Sequence, residues 1–279
     1  GFELKHSTAT YDLYLPSGDQ KTVILTWYGF RDTMISDVDE LMEMAQENSW
    51  LDFDIIIDGT RSRGGSAGAY AMQRFSPKPF KTTFGNLRIS DVIPIFTQEK
   101  LAEVESGGSL DSGVPEAMDD GTWLIDWLEN EVADSVDSGA TYSNSVPFKL
   151  AHAPKTSDGI LQPAPQHFRG RMVAFFVPRR GSHLDQFAAI IKDNSIGYII
   201  GMTAGGYSNT WEWEETIRFP GTDQPVIQFM WDIGHTIRPN GEILEGNPAL
   251  PDDLFLLTRH NFDTYYQELV QKALEHLNG

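Results

Sequence analysis

The sequence predicts an α/β fold built from βαβ units, on three observations. A strand at residues 21–28, a helix at 35–48 and a strand at 54–58 follow one another in order. An apolar run at 172–177 is followed by an amphipathic segment at 184–192 and a second apolar run at 196–201. The apolar runs are short and bounded by turn residues, as in parallel strands buried on both faces. The strand–helix–strand connection should be right-handed.

Taken in order, residues 10–15 alternate polar and apolar, and Pro16-Ser17-Gly18-Asp19 makes a turn into strand 21–28, so the pair reads as a hairpin. Helix 35–48 carries Val38, Leu41, Met42 and Ala45 at helical spacing, with Ser36 or Asp37 as its cap. The apolar run at 54–58 opens into Gly59-Thr60-Arg61-Ser62-Arg63-Gly64-Gly65-Ser66-Ala67-Gly68. Such a loop is either a flexible strand-to-helix turn or an anion-binding turn of backbone N–H groups. It is not a Walker loop, because no Gly-Lys-Ser/Thr follows.

Residues 76–145 differ in character, with Gly-Ser loop material at 106–109 and 111–115. A helix within 119–134 places Trp123, Leu124, Trp127, Leu128 and Val132 on one face. This region reads as an inserted, lid-like subdomain, and the Pro- and Gly-rich stretch to 169 as its connection. Three parts follow: 1–75 as the first part of the core, 76–169 as insertion and connection, and 170–279 as the second part. In the last part residues 211–219 and 226–233 alternate as antiparallel strands, and Asn240-Gly241 is a hairpin turn. Asn261 or Asp263 caps a final helix with Tyr265, Leu269, Ala273, Leu274 and Leu277 inward.

The 279 residues carry 21 Lys and Arg against 40 Asp and Glu, a formal charge of −19. That balance argues against nucleic acid or an anionic membrane surface as partner, since phosphates need clustered cations. The absence of cysteine excludes disulfides, Cys-ligated zinc and a thiol nucleophile. No apolar run reaches the length of a membrane span. The N-terminus is not a signal peptide and has no initiator Met, which suggests a processed or excised chain. The expected setting is secreted or periplasmic. No cofactor and no metal are expected.

Gly181-Ser182 stands where an apolar strand turns into a helix. That turn presents a hydroxyl at a helix N-terminus, where free N–H groups favour developing negative charge, as in a nucleophile elbow. The same serine is also a fitting N-cap, with Asp185 three residues on.

Four segments, in order, resemble the tail-specific (C-terminal-processing, S41-like) serine peptidases. Ile56-Ile57-Asp58-Gly59-Thr60-Arg61-Ser62-Arg63-Gly64-Gly65 is similar to their D-x-R-x-N-x-G-G loop, with Ser62 in the place of the Asn. Gly181-Ser182-His183-Leu184-Asp185-Gln186-Phe187-Ala188 resembles the nucleophile turn, S-A-x-E-x-F-A. Ile199-Ile200-Gly201-Met202-Thr203-Ala204-Gly205-Gly206 resembles the following strand and T-A-G-G turn, and Glu245-Gly246-Asn247-Pro248-Ala249-Leu250-Pro251-Asp252 the E-N-x-G-V-x-P-D segment. The resemblance covers roughly residues 22–75 and 170–279. It implies a ClpP/crotonase-like core and a serine endopeptidase acting on a peptide or protein substrate through an acyl-enzyme on Ser182. The N–H groups of His183 and of Gly64 or Gly65 would form the oxyanion hole.

One branch of the family uses a Ser-Lys dyad, but Tyr207 stands in the lysine's place and only Lys192 and Lys272 follow Ser182. The resemblance is therefore to the branch of tricorn protease and the chlamydial protease-like activity factor. In that branch a His from an N-terminal segment is the base and a late Glu orients it. Glu245 fits that Glu, with Glu242 in reserve. The base is expected on an N-terminal segment or fragment of the same protein. His6 reads as an exposed terminal residue, His183 as too close to Ser182, and His152, His167, His235 and His260 match no family motif. A catalytically inactive binding module for a peptide or apolar ligand is the alternative. A third reading is a sugar or cation site at Trp211, Trp213, Glu212, Glu214 and Glu215; core packing of the two Trp is the simpler account.

Overall fold

The computed structural model describes residues 1–18, 20–31, 33–106, 122–147, 158–208 and 211–279. The predicted loop residues 107–115, the predicted helix start at 119–121 and His152 lie outside them. The first elements are β1 (Phe2–Ser7), β2 (Tyr11–Pro16), β3 (Thr22–Trp27), α1 (Met34–Glu47), β4 (Asp54–Asp58) and α2 (Gly68–Phe75). Next come β5 (Phe80–Lys81), β6 (Phe84–Leu87), α3 (Ile93–Glu105), α4 (Thr122–Asp126), a π-helical stretch Trp127–Val132, α5 (Ala133–Asp137), β7 (Val146–Pro147) and β8 (Ile160–Leu161). The chain continues through β9 (Met172–Phe176), α6 (His183–Asp193), β10 (Tyr198–Gly201), β11 (Glu212–Arg218), β12 (Pro225–Asp232), β13 (Gly234–Ile237), β14 (Asp253–Leu254) and α7 (Tyr265–Asn278).

The main sheet has the order β1-β2-β3-β4-β9-β10-β14. β3, β4, β9, β10 and β14 run parallel, and β1 and β2 extend the β3 edge antiparallel. The parallel strands read as continuous apolar runs because both their faces are covered. Val23, Leu25, Ile55, Ile57, Ala174 and Phe176 face α1, α2 and α6. The alternate residues Ile24, Ile56, Val173, Phe175 and Ile200 face Tyr265, Leu269, Ala273 and Leu277 of α7. Each large aliphatic or aromatic side chain buried in these layers contributes about 1.5–3 kcal/mol. A third cluster joins Leu87, Ile93, Phe96, Leu124, Trp127, Leu128 and Val132 to Ile233. Trp211 and Trp213 pack against it, and the Trp211 ring stacks on Trp127 with centroids 5.4 Å apart, so these two Trp serve as packing. The small sheet β13-β6-β7 carries Leu87 of this cluster, and β13 meets the residues before Glu245 through the Ile237–Ile243 bridge and the Leu244 N–H donating to Thr236 O.

Three local expectations change. His6, expected as an exposed terminal residue, lies in strand β1, is half-buried, and has its Nε2 3.2 Å from the Glu40 carboxylate. α1 starts at Met34 with Thr33 before it, and Ser36 Oγ donates to the Thr33 carbonyl, so neither Ser36 nor Asp37 caps. Thr264, not Asn261 or Asp263, precedes α7; Asn261 Oδ1 instead accepts the Thr258 N–H (2.7 Å) and shapes the preceding loop.

Candidate active site

The register aligns the carboxyl ends of the central strands: Thr26 pairs with Asp58, Asp58 with Phe175, and Phe176 with Gly201. The loops leaving β3, β4, β9 and β10 therefore meet at one edge of the sheet, where ligands bind in open α/β folds. Within the first of these loops, Phe30 forms a parallel bridge with Gly65. The Phe30 N–H donates to Gly64 O (3.3 Å), and its carbonyl accepts the Ser66 N–H (2.8 Å). Gly65 has φ +146°, and a Cβ there would sit 1.8 Å from the Phe30 carbonyl oxygen, so only glycine fits. Ser62, the departure from the family's Asn, is fully buried; its N–H donates to Gly59 O and its hydroxyl to Arg63 O. Asp58 accepts the Thr60 N–H at 2.9 Å, and burial pushes its carboxyl above the usual range.

Ser182 occupies the N-cap position of α6 but makes no cap hydrogen bond. The capping reading is thereby corrected. Its backbone has φ 59° and ψ −132°, a region costing about 1–3 kcal/mol for a side chain other than glycine's. Surrounding bonds over-determine the turn. The Ser182 N–H donates to Tyr207 O (2.8 Å), and the Gly205 N–H donates to Arg180 O (2.6 Å). The side chain points at the glycine loop: a Cβ on Gly64 would lie 2.7 Å from Ser182 Cβ and 2.8 Å from its Oγ. His183 opens α6, so its N–H lies in the first turn, which has no partners within the helix. The hydroxyl thus sits between a glycine-loop backbone and a helix N-terminus, an arrangement able to hold an oxyanion.

Asp185, almost fully buried, joins the two turns. Its carboxylate accepts the Gly206 N–H at 2.8 Å and the Tyr207 N–H at 3.2 Å. Burial raises its carboxyl to about 6; those two N–H groups pull it down and Glu245 pushes it up. The last segment joins through the Gly246 N–H, which donates to Gly206 O at 2.8 Å. The Glu245 carboxylate accepts the Thr236 N–H at 3.0 and 3.2 Å and lies 3.8 Å from His235 Nδ1. Asp232 is also raised to about 6, by desolvation first and then by Glu245 and Glu212. Glu242 instead bonds Asn240 and Asn247, which hold its carboxyl below the usual range.

The Tyr207 ring lies against Gly181 and Gly205, where a Cβ would meet it at 2.5 and 2.4 Å. Lys192 pairs with Asp252 and Lys272 with Asp253, so both lysines after Ser182 are engaged with acids of the β14 edge. Of the other histidines, His167 Nδ1 meets Ala164 O at 2.7 Å and His276 stacks on Tyr198. Two features went unread in the sequence. One is the approach of His235 to Glu245, which the predicted Asn240-Gly241 hairpin implies, since it sets residues 235–236 opposite 245. The other is a bond from the Gly68 N–H to His183 Nε2 at 2.8 Å. Among the described residues no group of three or more His, Asp or Glu could hold a metal ion, and no helix is long and apolar enough to cross a membrane.

The sequence matches no family model and no curated relative. Solved structures do match. Mature CPAF superposes with a TM-score of 0.68 at 14% identity, over 95% of this chain and 54% of that one. A structure described as a peptidase from Parabacteroides merdae superposes with a TM-score of 0.61 at 10% identity, over 100% of this chain and 66% of that one. A structure described as an S41 protease from Bacteroides fragilis gives 0.52 at 11% identity, over 96% and 57%. The chain spans about half the length of the CPAF chains it matches. Its fold is that of an S41-like peptidase, a mixed α/β architecture around a central mixed sheet.

Proposed function

We propose that this chain carries the nucleophile of a serine peptidase acting on peptide or protein substrates. The observation that supports it most is Ser182: left-handed, uncapped and packed against Gly64 at the carboxyl edge of the parallel sheet. Ser182 Oγ attacks the scissile carbonyl while a histidine removes its proton. The N–H of His183 and that of Gly64 or Gly65 hold the resulting oxyanion. Collapse of the tetrahedral intermediate breaks the C–N bond, the histidine protonates the leaving amine, and the acyl group stays on Ser182. Water, deprotonated by the same histidine, then hydrolyses the ester. Glu245, its carboxylate held by the Thr236 N–H, orients that histidine.

An active-site-directed fluorophosphonate tests the reading on the full-length protein. Stoichiometric labelling that disappears in Ser182→Ala supports it; absence of labelling in the wild type sinks it and leaves the inactive binding module. His235→Gln locates the base. Loss of labelling in a variant that still folds supports His235 as the base, and retention excludes it.

A further inference from the structure

Ser182 and His183 are consecutive, yet both side chains close on the same glycine loop. Ser182 meets it at Gly64, and His183 meets it four residues on, at Gly68. The positive φ of Ser182 lets neighbouring side chains straddle one segment in this way. His183 is 3% exposed, with its ring edge-on to Phe30 at 5.0 Å. Gly68 is the first residue of α2, and the preceding Ala67 offers no side-chain acceptor. The first N–H groups of a helix need an outside partner. Here the partner of the Gly68 N–H comes from 115 residues away: His183 Nε2, at 2.8 Å. The approach requires a glycine, since a Cβ at position 68 would lie 2.3 Å from Nε2.

Accepting an N–H requires the lone pair on Nε2, so the ring is neutral with its proton on Nδ1. A ring holding that proton arrangement, with Nε2 given to a backbone amide, is not the general base.

We propose that His183 is a positioning residue whose neutral imidazole clamps the glycine loop to the nucleophile turn and so sets the spacing of the oxyanion hole. The inference rests on the reading of Ser182 as nucleophile. The backbone of His183 offers one donor of the hole, and its side chain fixes the loop that offers the other. A shift of about 1 Å in such a site costs on the order of 10²-fold in rate, and loss of one oxyanion donor about 10²–10³-fold.

The clamp is tested by the fluorophosphonate labelling rate, substrate kcat and KM, and hydrogen exchange at the Gly68 amide. His183→Phe keeps an aromatic ring and removes the acceptor; His183→Gln replaces Nε2 with an amide oxygen at similar reach. In the wild type the Gly68 amide should exchange slowly. His183→Phe should lower kcat and the labelling rate about 10²-fold with KM within about threefold, and should free the Gly68 amide. His183→Gln should recover most of both. A folded His183→Phe that labels within about threefold of wild type overturns the clamp, as does a glutamine variant no better than phenylalanine. Should His183→Phe fail to fold, His183→Leu takes its place. Rapid exchange at Gly68 in the wild type overturns the proposal without any variant. Failure of the wild type to label, with Gly68 protected, counts against the peptidase reading and not against the contact.

Discussion

At the C-terminal end of α6, Ser195 has φ 51°; at its N-terminal end, Ser182 has φ 59°. The first belongs to how a helix stops. The Ile196 N–H donates to Ile191 O at 3.0 Å and the Ser195 N–H to Lys192 O at 3.1 Å, the paired bonds of a Schellman ending, which places its C′ residue in the left-handed region. Ser49, φ 61°, ends α1 the same way, with Trp50 N–H to Ala45 O and Ser49 N–H to Gln46 O. No comparable bond accounts for Ser182. A residue leading into a helix ordinarily sits in the β region and uses its hydroxyl as a cap; Ser182 does neither. The same dihedral is therefore helix geometry at one end and imposed strain at the other. The imposing contacts are the bond to Tyr207 O and the Gly64 packing.

The largest test of that contrast exchanges each serine for alanine. Ser182→Ala should lower hydrolysis and labelling by at least about 10³-fold, whereas Ser195→Ala should leave both within about twofold. Parallel urea unfolding shows whether either change acts through stability. Equal losses at the two serines would remove the distinction. Next in size is Gly64→Ala, whose Cβ would press on the Ser182 side chain at 2.7–2.8 Å. The labelling rate should fall about 10²-fold, because the nucleophile is displaced by a fraction of an ångström or more. An unchanged rate would mean that the glycine loop does not hold the serine.

The sequence made one of these two serines legible and not the other. Ser182 follows a five-residue buried strand, β9, and the segments around it stand in the order of the peptidases that the sequence resembles. Ser195 and Ser49 carry no comparable mark, since a Schellman ending is usually announced by glycine. β3, β4, β9 and β10 were readable because burial on both faces demands uninterrupted apolar residues. β1, Phe-Glu-Leu-Lys-His-Ser, was not, because an exposed edge strand imposes no such demand. The Thr33 and Thr264 positions were missed for a related reason: neither threonine makes a side-chain cap bond. In the site, Glu245 was expected only from the resemblance of its segment to the peptidases, and the Asp185 bridge joins backbone N–H groups, which leave no trace in residue identity. The His183–Gly68 contact is hidden for the same reason; its one signal is a glycine opening a helix after an alanine that cannot cap.

Asp185 contributes the next effect, and its sign is opposite to that of an ordinary paired carboxylate. Its pKa rises from 3.8 to about 6 on folding, chiefly through burial. The native state then favours the protonated form, so stability is greatest below about pH 4, declines as pH rises towards 6 and is level above. A two-unit shift corresponds to about 3 kcal/mol. Asp185→Asn removes this titration, so the stability difference between variant and wild type, measured by urea unfolding, should change by about 2–3 kcal/mol between pH 4 and 6. A difference that stays flat across that window would mean that the carboxyl is not desolvated, and that the two turns are joined more loosely than the bonds to Gly206 and Tyr207 imply.

The smallest effect is the most discriminating, because it asks the same substitution of all three left-handed serines. Glycine removes the Cβ conflict of positive φ, about 1–2 kcal/mol, but adds backbone freedom to the unfolded chain worth roughly 0.5–1 kcal/mol. At Ser49 and Ser195 the balance should be a gain of about 0.5 kcal/mol in urea unfolding, with labelling unchanged. Ser182→Gly should gain at least as much, since its ψ of −132° lies farther from any well-populated region for a side chain. It should also lose all labelling. A protein that becomes more stable when its candidate nucleophile is removed holds that residue against the local preference of the chain, as a preorganised site requires. If Ser182→Gly is instead destabilising, the turn is held by the serine itself, and its conformation is no longer evidence of strain imposed by the surrounding loops.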